Sequence, residues 1–275
     1  MAYAFDPKHH YRMPTHFGPS LGPRQGLDGR RFSCKTNPLI KTFEATFEAE
    51  ASQLEDLLPT GFKVFGEARL TIQFGIMMEV EWLAGRTYNV FGVSVPAHFE
   101  GKQDNIIGDF LLVLWENKAD PIITGREDLG FSKVYCELPE PIVMDDRVEC
   151  RASWDGHEFS TFSLRGKSSI DPEELPDSPS QGDMHLKYIP RTWTQGEADV
   201  HYPVLTAEET SHEVIEEAYK FEDASIKFKQ STWEQLPTLV HVVNGLADLK
   251  IGNCLSANLI VSRGGSDLSG QRPLV

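Results

Sequence analysis

The chain is poor in cysteine, short of positive charge, and without any long apolar run. Its four cysteines, Cys34, Cys136, Cys150 and Cys254, are scattered through 275 residues with no CxxC spacing. Neither a disulfide framework nor a zinc cluster follows from such a pattern, which reads as buried free thiols in a reducing compartment. Lysine and arginine total 26 against 41 acidic residues, a formal net charge of −15. Nucleic acid and anionic membrane surfaces demand clustered positive charge, so neither is expected as a main partner. No stretch is apolar for long enough to span a bilayer, and the first residues form no signal-type apolar segment. The reading is therefore a cytoplasmic protein. There is no internal repeat of solenoid period. His212-Glu213-x-x-Glu216 lacks the second histidine of a zinc motif, and Arg263-Gly264-Gly265-Ser266 lacks the lysine of a phosphate loop. Neither a metal nor an organic cofactor is expected.

With 40% hydrophobic residues the chain can bury a substantial core. Residues 1–38 are rich in Pro, Gly, His and Arg and read as an irregular arm that wraps a core or stays mobile. From Thr42 the pattern becomes strand-like, with a short helix over Ser52–Leu58 stopped by Pro59 and Gly61. Strands are expected over about 69–82, 87–95 and 109–116. Val148–Trp154 and His157–Leu164 flank Asp155-Gly156, which predicts a hairpin with a type I′ turn. Residues 166–184 read as a polar surface loop, and 254–262 as a final buried strand. Thr206-Ala-Glu-Glu209 resembles a capping box before the helix formers of 214–220, so helix and strand compete there. The expected fold is mostly β (α+β): one antiparallel domain that closes or nearly closes, with a few short helices.

One lysine stands out. Gly125-Arg126-Glu127-Asp128-Leu129-Gly130-Phe131-Ser132 leads into Lys133, after the strongly apolar Asp109–Trp115 and Pro121–Thr124. In such surroundings desolvation disfavours the ammonium form, and a free amine can attack a ketone to give an imine, an electron sink. The competing reading is an ordinary solvated surface lysine.

This stretch resembles the signature of the acetoacetate decarboxylase family: a Gly-Arg-Glu tripeptide, then an aromatic two places before the imine-forming lysine. Leu57-Leu58-Pro59, Gly108-Asp109-Phe110-Leu111, Leu186-Lys187-Tyr188-Ile189-Pro190 and the segment from Trp233 to Ile260 resemble further family elements, in order. The resemblance implies a closed or cone-like β-barrel over residues 39–275, a homo-oligomer, and a strand over about 213–220 followed by another near 225–230. It also implies Lys133 as the nucleophile of a cofactor-independent, Schiff-base lyase acting on a small keto or oxo compound. Departures from the family pattern are specific. Val134 replaces a second lysine, Gly75 and Val90 stand where carboxylates are expected, and Ile40 replaces an arginine. Without that arginine a pocket loses an obvious bidentate partner for a substrate carboxylate.

Several residues are candidates to support Lys133. Glu79 is expected to share a strand face with Glu81, either solvated or inside the barrel as a replacement acid or base. His98 is a candidate proton shuttle. Tyr88 and Asn89 lie near the Val90 position and could hydrogen-bond a substrate carbonyl. Arg126 and Glu127 are expected to form an ion pair that fixes the lysine turn, and Phe131 to flank the amine. Three functions fit: decarboxylation of a β-keto acid; an aldolase, retro-aldolase or dehydratase using the same imine on a larger polyketide-like or oxo-acid molecule; or a barrel that binds a small ligand without turning it over.

Overall fold

A computed structural model describes residues 4–175, 178–208 and 211–275. The first strand, β1 (Leu39–Ala49), shows the logic of the whole. Its alternation buries Phe43, Ala45 and Phe47 on one face and turns Thr42, Glu44 and Thr46 to the other. A short helix α1 (Ala51–Glu55) and β2 (Phe62–Val64) lead to three long strands, β3 (Arg69–Val80), β4 (Arg86–Glu100) and β5 (Asn105–Glu116). Then come α2 (Ala119–Thr124), a wide π turn over Gly125–Leu129, and β6 (Lys133–Tyr135). The rest comprises β7 (Ile142–Met144), β8 (Arg147–Trp154), β9 (His157–Arg165), β10 (Ser168–Ile170), β11 (Gly182–Pro190), β12 (Ala198–Ala207), β13 (Val214–Lys220), β14 (Asp223–Phe228), α3 (Val240–Ala247), β15 (Ile251–Arg263) and β16 (Arg272–Pro273).

Twelve strands form one sheet in the order β10-β13-β15-β1-β3-β4-β5-β11-β12-β16, with β2 beside β4 and β6 beside β5. Pairing is antiparallel except where β5 meets β11 and β6. A second sheet, β14-β9-β8-β7, covers the face that carries Phe43 and Phe47. Between them lies the main core, where Trp115 is fully buried and stacks on Phe91 at 5.6 Å, joined by Phe159, Phe162 and Leu164. Each such side chain contributes about 1.5–3 kcal/mol by leaving water. Val243 and Leu246 of α3 close the same core.

Among the described residues no sheet closes into the expected barrel. The strand path ends at β10, three residues long, and β16, two residues long, which are too short to zip together. β5 meets β11 through only two residue pairs, Asp183 with Asp109 and Met184 with Phe110, while β6 occupies another part of the strand. The large sheet is thus an open, curled wall. Its second face lines a cavity.

Other expectations meet the structure strand by strand. Asp155 and Gly156 take φ of +48° and +78°, as a type I′ hairpin between β8 and β9 requires. Residues 214–220 form a strand; Thr206 lies in β12, and Glu209 of the apparent capping box lies outside the described residues. The polar segment 166–184 contains β10 and a 3-10 turn at Pro172–Glu174 capped by the Asp171 side chain. β15 is not the last strand, since β16 follows it. Residues 4–38 carry a 3-10 turn at Thr15–Phe17 and lie against the π turn, where Arg12 meets Asp128 at 2.6 Å. Among the described residues no helix is long and apolar enough to cross a membrane.

Candidate active site

Lys133 opens β6, which pairs parallel to β5 with Lys133 opposite Leu114 and Tyr135 opposite Glu116. Side chains two residues apart on a strand share a face, so Lys133 and Glu116 become diagonal neighbours. The lysine Nζ lies 2.8 Å from Glu116 Oε1, with the two side chains only 10% and 1% exposed. Neither carboxylate oxygen takes a well-directed hydrogen bond, so the contact with Lys133 is chiefly electrostatic. Burial raises the Glu116 carboxyl above its ordinary range, and the lysine charge and contact oppose that rise in part.

The turn before Lys133 is built to bring the amine there. Gly125 has ordinary helical torsions, but a Cβ on it would stand 2.8 Å from Nζ and closer still to Cδ. Glycine is required for space: the lysine side chain runs directly over the Gly125 backbone. Gly130 ends the π turn at φ +87°, a left-handed conformation, and a Cβ there would meet Lys187 Cβ at 2.5 Å. Arg126 Nη1 donates to the Lys133 carbonyl at 2.8 Å, and Phe131 N–H donates to the Gly125 carbonyl at 2.9 Å. The Pro121 carbonyl lies 3.4 Å from Nζ, and the Phe131 ring centroid 5.2 Å.

Lys133 reaches one end of a cavity of about 1230 Å³, together with Pro121, Thr124, Leu129 and Tyr88. Burial holds the Tyr88 phenol protonated, with the nearby Glu116 charge adding to the effect. Further along, Glu44, Asp109, Asp183 and Glu208 line the wall. Asp183 opens into the cavity, yet its reduced hydration and its neighbours Asp109, Glu208 and Glu44 push its carboxyl up to about 7. The cations lining the cavity, among the described residues, are Lys133 and Arg69, and Arg69 is ion-paired with Glu67 at 2.6 Å. No group of side chains suited to a metal ion occurs among the described residues.

The structure sorts the other expected residues sharply. Tyr88 lines the cavity, but Asn89, next to it on β4, points the opposite way and donates to the Leu138 carbonyl at 3.0 Å. Glu79 does not enter the site. Its φ of +57° breaks the strand alternation before Glu81, and its carboxylate pairs with Arg263 at 2.9 Å on the surface. His98 lies on β4, outside the cavity lining, where it contacts Asn105 and stands 4.0 Å from Glu100. No Arg126–Glu127 ion pair forms among the described residues, because consecutive residues on a helical turn do not face each other; Arg126 reaches forward to Lys133 instead. Glu127 is half-buried on the same turn, outside the cavity lining. Ile40 does line the cavity and brings no charge.

Glu116 is the residue that reading the sequence missed. Gly75, Val90 and Glu116 occupy one row across β3, β4 and β5. A carboxylate thus stands one strand over from Val90 and two from Gly75, the positions where the resemblance led one to be expected. Its one local trace in the sequence is a glutamate in phase with Leu112 and Leu114 at the end of the apolar run Phe110–Trp115.

These features define a class: an open β wall around a cavity that a buried lysine lines, with a buried carboxylate against its amine. The family model described as acetoacetate decarboxylase (ADC) matches residues 12–262, and the chain belongs to that family. Among solved structures it is similar to acetoacetate decarboxylase from Legionella pneumophila, at 16% identity and a TM-score of 0.65 over 87% of this chain and 88% of that one. An acetoacetate decarboxylase-like enzyme from Sphingomonas wittichii RW1 matches at 16% identity and 0.62 over 86% and 91%. The enduracididine biosynthesis enzyme MppR, complexed with the condensation product of pyruvate and imidazole 4-carboxaldehyde, matches at 16% and 0.63 over 92% and 97%. At these identities the structural likeness speaks for the fold. No curated protein matches the chain.

Proposed function

We propose that the protein is an imine-forming enzyme, in which Lys133 condenses with the carbonyl of a small oxo compound and a neighbouring bond is then broken or made. The observation that carries this is the Lys133 Nζ–Glu116 Oε1 contact of 2.8 Å, shielded from bulk water at the end of a large cavity. A buried ion pair with poor hydrogen bonding gains little over its neutral form, so Glu116 is placed to accept the ammonium proton. The free amine then attacks the carbonyl carbon. Glu116 returns the proton to the departing hydroxyl, water leaves, and the iminium that remains faces the Glu116 carboxylate. That iminium accepts the electron pair of the adjacent bond as an enamine. Reprotonation and hydrolysis restore the lysine.

Among reactions open to such an imine, the geometry favours aldol-type or dehydration chemistry on an uncharged or cationic carbonyl compound. A β-keto acid would bring its carboxylate beside Glu116, with Ile40 in place of an arginine and, on the described cavity wall, only Lys133 and Arg69 as cations, each already paired with a glutamate. A cavity of about 1230 Å³ also exceeds the usual range for small ligands of about 300–1,000 Å³. MppR, with its bound condensation product, is a fold relative consistent with that chemistry. Decarboxylation of a β-keto acid is the second reading, supported by the family itself.

Borohydride reduction in the presence of a panel of keto acids, ketones and aldehydes tests the proposal. A mass adduct on the Lys133 peptide is expected. With a substrate that turns over, aldehyde release or water loss supports the first reading and carbon dioxide release the second. If no carbonyl gives an adduct and Lys133→Ala keeps full ligand affinity, the protein is a binding module and the enzyme reading fails.

A further inference from the structure

β11 places a buried histidine under the turn that carries the lysine. His185 is 0% exposed, its Nε2 lies 3.2 Å from the Leu129 carbonyl oxygen, and its ring stacks on Phe131 at 4.2 Å and 24°. It therefore grips both residues that flank Gly130, the left-handed hinge of the turn. Two residues on, Lys187 Nζ donates to the preceding carbonyl, Asp128, at 3.0 Å. The same Phe131 ring that stacks on His185 has its centroid 5.2 Å from the Lys133 amine. Imidazole, phenyl ring and amine thus form one chain of contacts. His185 Nε2 also lies 3.3 Å from the Gln271 amide nitrogen, which itself donates to Thr206 Oγ1 at 3.0 Å, and His185 Nδ1 is buried with no partner.

We propose that His185 is a positioning residue for the Lys133 amine, fixing the turn through Leu129 and the plane of Phe131 while remaining uncharged itself. This rests on the imine reading above. The requirement at this position is specific: one donor for the Leu129 carbonyl, one flat face for Phe131, and no charge. Protonation would add a second N–H with no acceptor and set a cation among Lys133 and Lys187, the charged groups that act on it. Burial lowers the imidazole to about 4, which keeps it neutral around physiological pH. A neutral ring leaves Phe131 free to offer its electron-rich face to the iminium that forms at Lys133, since that face attracts cations.

The experiment compares His185→Gln, which keeps a donor and loses the stack, with His185→Phe, which keeps the stack and loses the donor. Imine formation with salicylaldehyde as probe is followed by absorbance against pH and by borohydride trapping on Lys133. Each variant is expected to trap about tenfold more slowly and to move the pH midpoint of imine formation, with Gln and Phe failing to different extents. Unchanged rate and midpoint in folded variants, whatever their melting temperatures, would overturn the proposal. If either variant does not fold, ring nitrogen shifts of His185 in the wild-type protein decide instead. A neutral ring protonated on Nε2 from pH 6 to 8 supports the proposal, and a doubly protonated ring or the other tautomer refutes it. Failure of the wild-type protein itself to trap salicylaldehyde above the level of Lys133→Ala strikes at the imine reading, a result distinct from unchanged behaviour in the His185 variants.

Discussion

Behind the lysine end of the cavity Glu116 is buried with a single counter-ion, whereas along the open wall Glu44, Asp109 and Asp183 stand together with no ion-pair partner among the described residues. Both arrangements raise carboxyl groups above their ordinary range, for different reasons. At Glu116 the cause is lost water, opposed by Lys133. At Asp183 neighbouring carboxylates add to lost water, and nothing opposes them. The first arrangement stores one exchangeable proton beside one nucleophile. The second makes a negative field over a surface that a substrate passes or lies against. Chemistry and selection are thus separated along one cavity.

The sharpest way to break this division is at the lysine end. Lys133→Met is expected to abolish imine trapping altogether, and Glu116→Gln to slow it by about 100-fold or more, the usual range for a lost acid–base group. If Glu116→Gln traps at the wild-type rate, the carboxylate is only a counter-ion and the proton must move elsewhere. Lys133→Met also carries a pH signature. A carboxyl whose folded value is raised stabilises the fold at low pH and loses that contribution as pH climbs through the folded value. Removing Lys133 takes away what opposes the rise at Glu116, so thermal unfolding of Lys133→Met should lose ground to wild type toward alkaline pH.

Gly125→Ala is a smaller intrusion at the same end. The new methyl would lie 2.8 Å from Nζ, so the lysine side chain must leave its track. Overpacking of this kind costs about 1–3 kcal/mol. Trapping should slow about tenfold while the cavity wall stays intact. Normal trapping would show that the amine reaches its carbonyl from a conformation other than the buried one.

What the sequence disclosed follows how local each feature is. Lys133 was legible because Gly125, Arg126, Phe131 and the lysine sit within nine consecutive positions that fold as one turn. The β8–β9 hairpin was legible for the same reason, since Asp155-Gly156 dictates its own torsions. Glu116 was not, because its meaning arises only when β6 pairs parallel to β5. Glu79 and Glu81 were expected on one strand face, but the positive φ at Glu79 and the 3-10 turn at Glu81–Leu83 part them, leaving Glu79 on the surface and Glu81 in the cavity lining. Tyr88 and Asn89 could not both serve the cavity, since neighbours on a strand diverge. Closure of the sheet depended on the lengths of its terminal strands and on the pairings of β5, which no local pattern encodes.

The open wall predicts charge selection. Carbonyl compounds that differ only in carrying an ammonium or a carboxylate tail should differ in KM by about tenfold in favour of the cation at low salt. The gap should shrink at high ionic strength as the field is screened. Asp109→Asn should narrow it without touching the borohydride adduct on Lys133. Equal KM values for the two tails at low salt would mean that the wall does not select, and that the lysine end alone sets preference.

The mildest test reads the wall through stability. With the Asp183 carboxyl at about 7 in the folded protein against an ordinary 3.8, the folded state holds a proton that the unfolded chain gives up. The stability linked to this group is present in full below about 3.8 and is lost as pH rises through about 7. Asp183→Asn removes that proton exchange. The melting temperature of the variant relative to wild type should therefore climb between pH 5 and 8, shallowly, because the side chain opens onto the cavity and water screens part of the repulsion. A constant difference across that window would mean that Asp183 titrates like a solitary surface carboxylate. The contrast between the two ends of the cavity would then narrow to Glu116 alone.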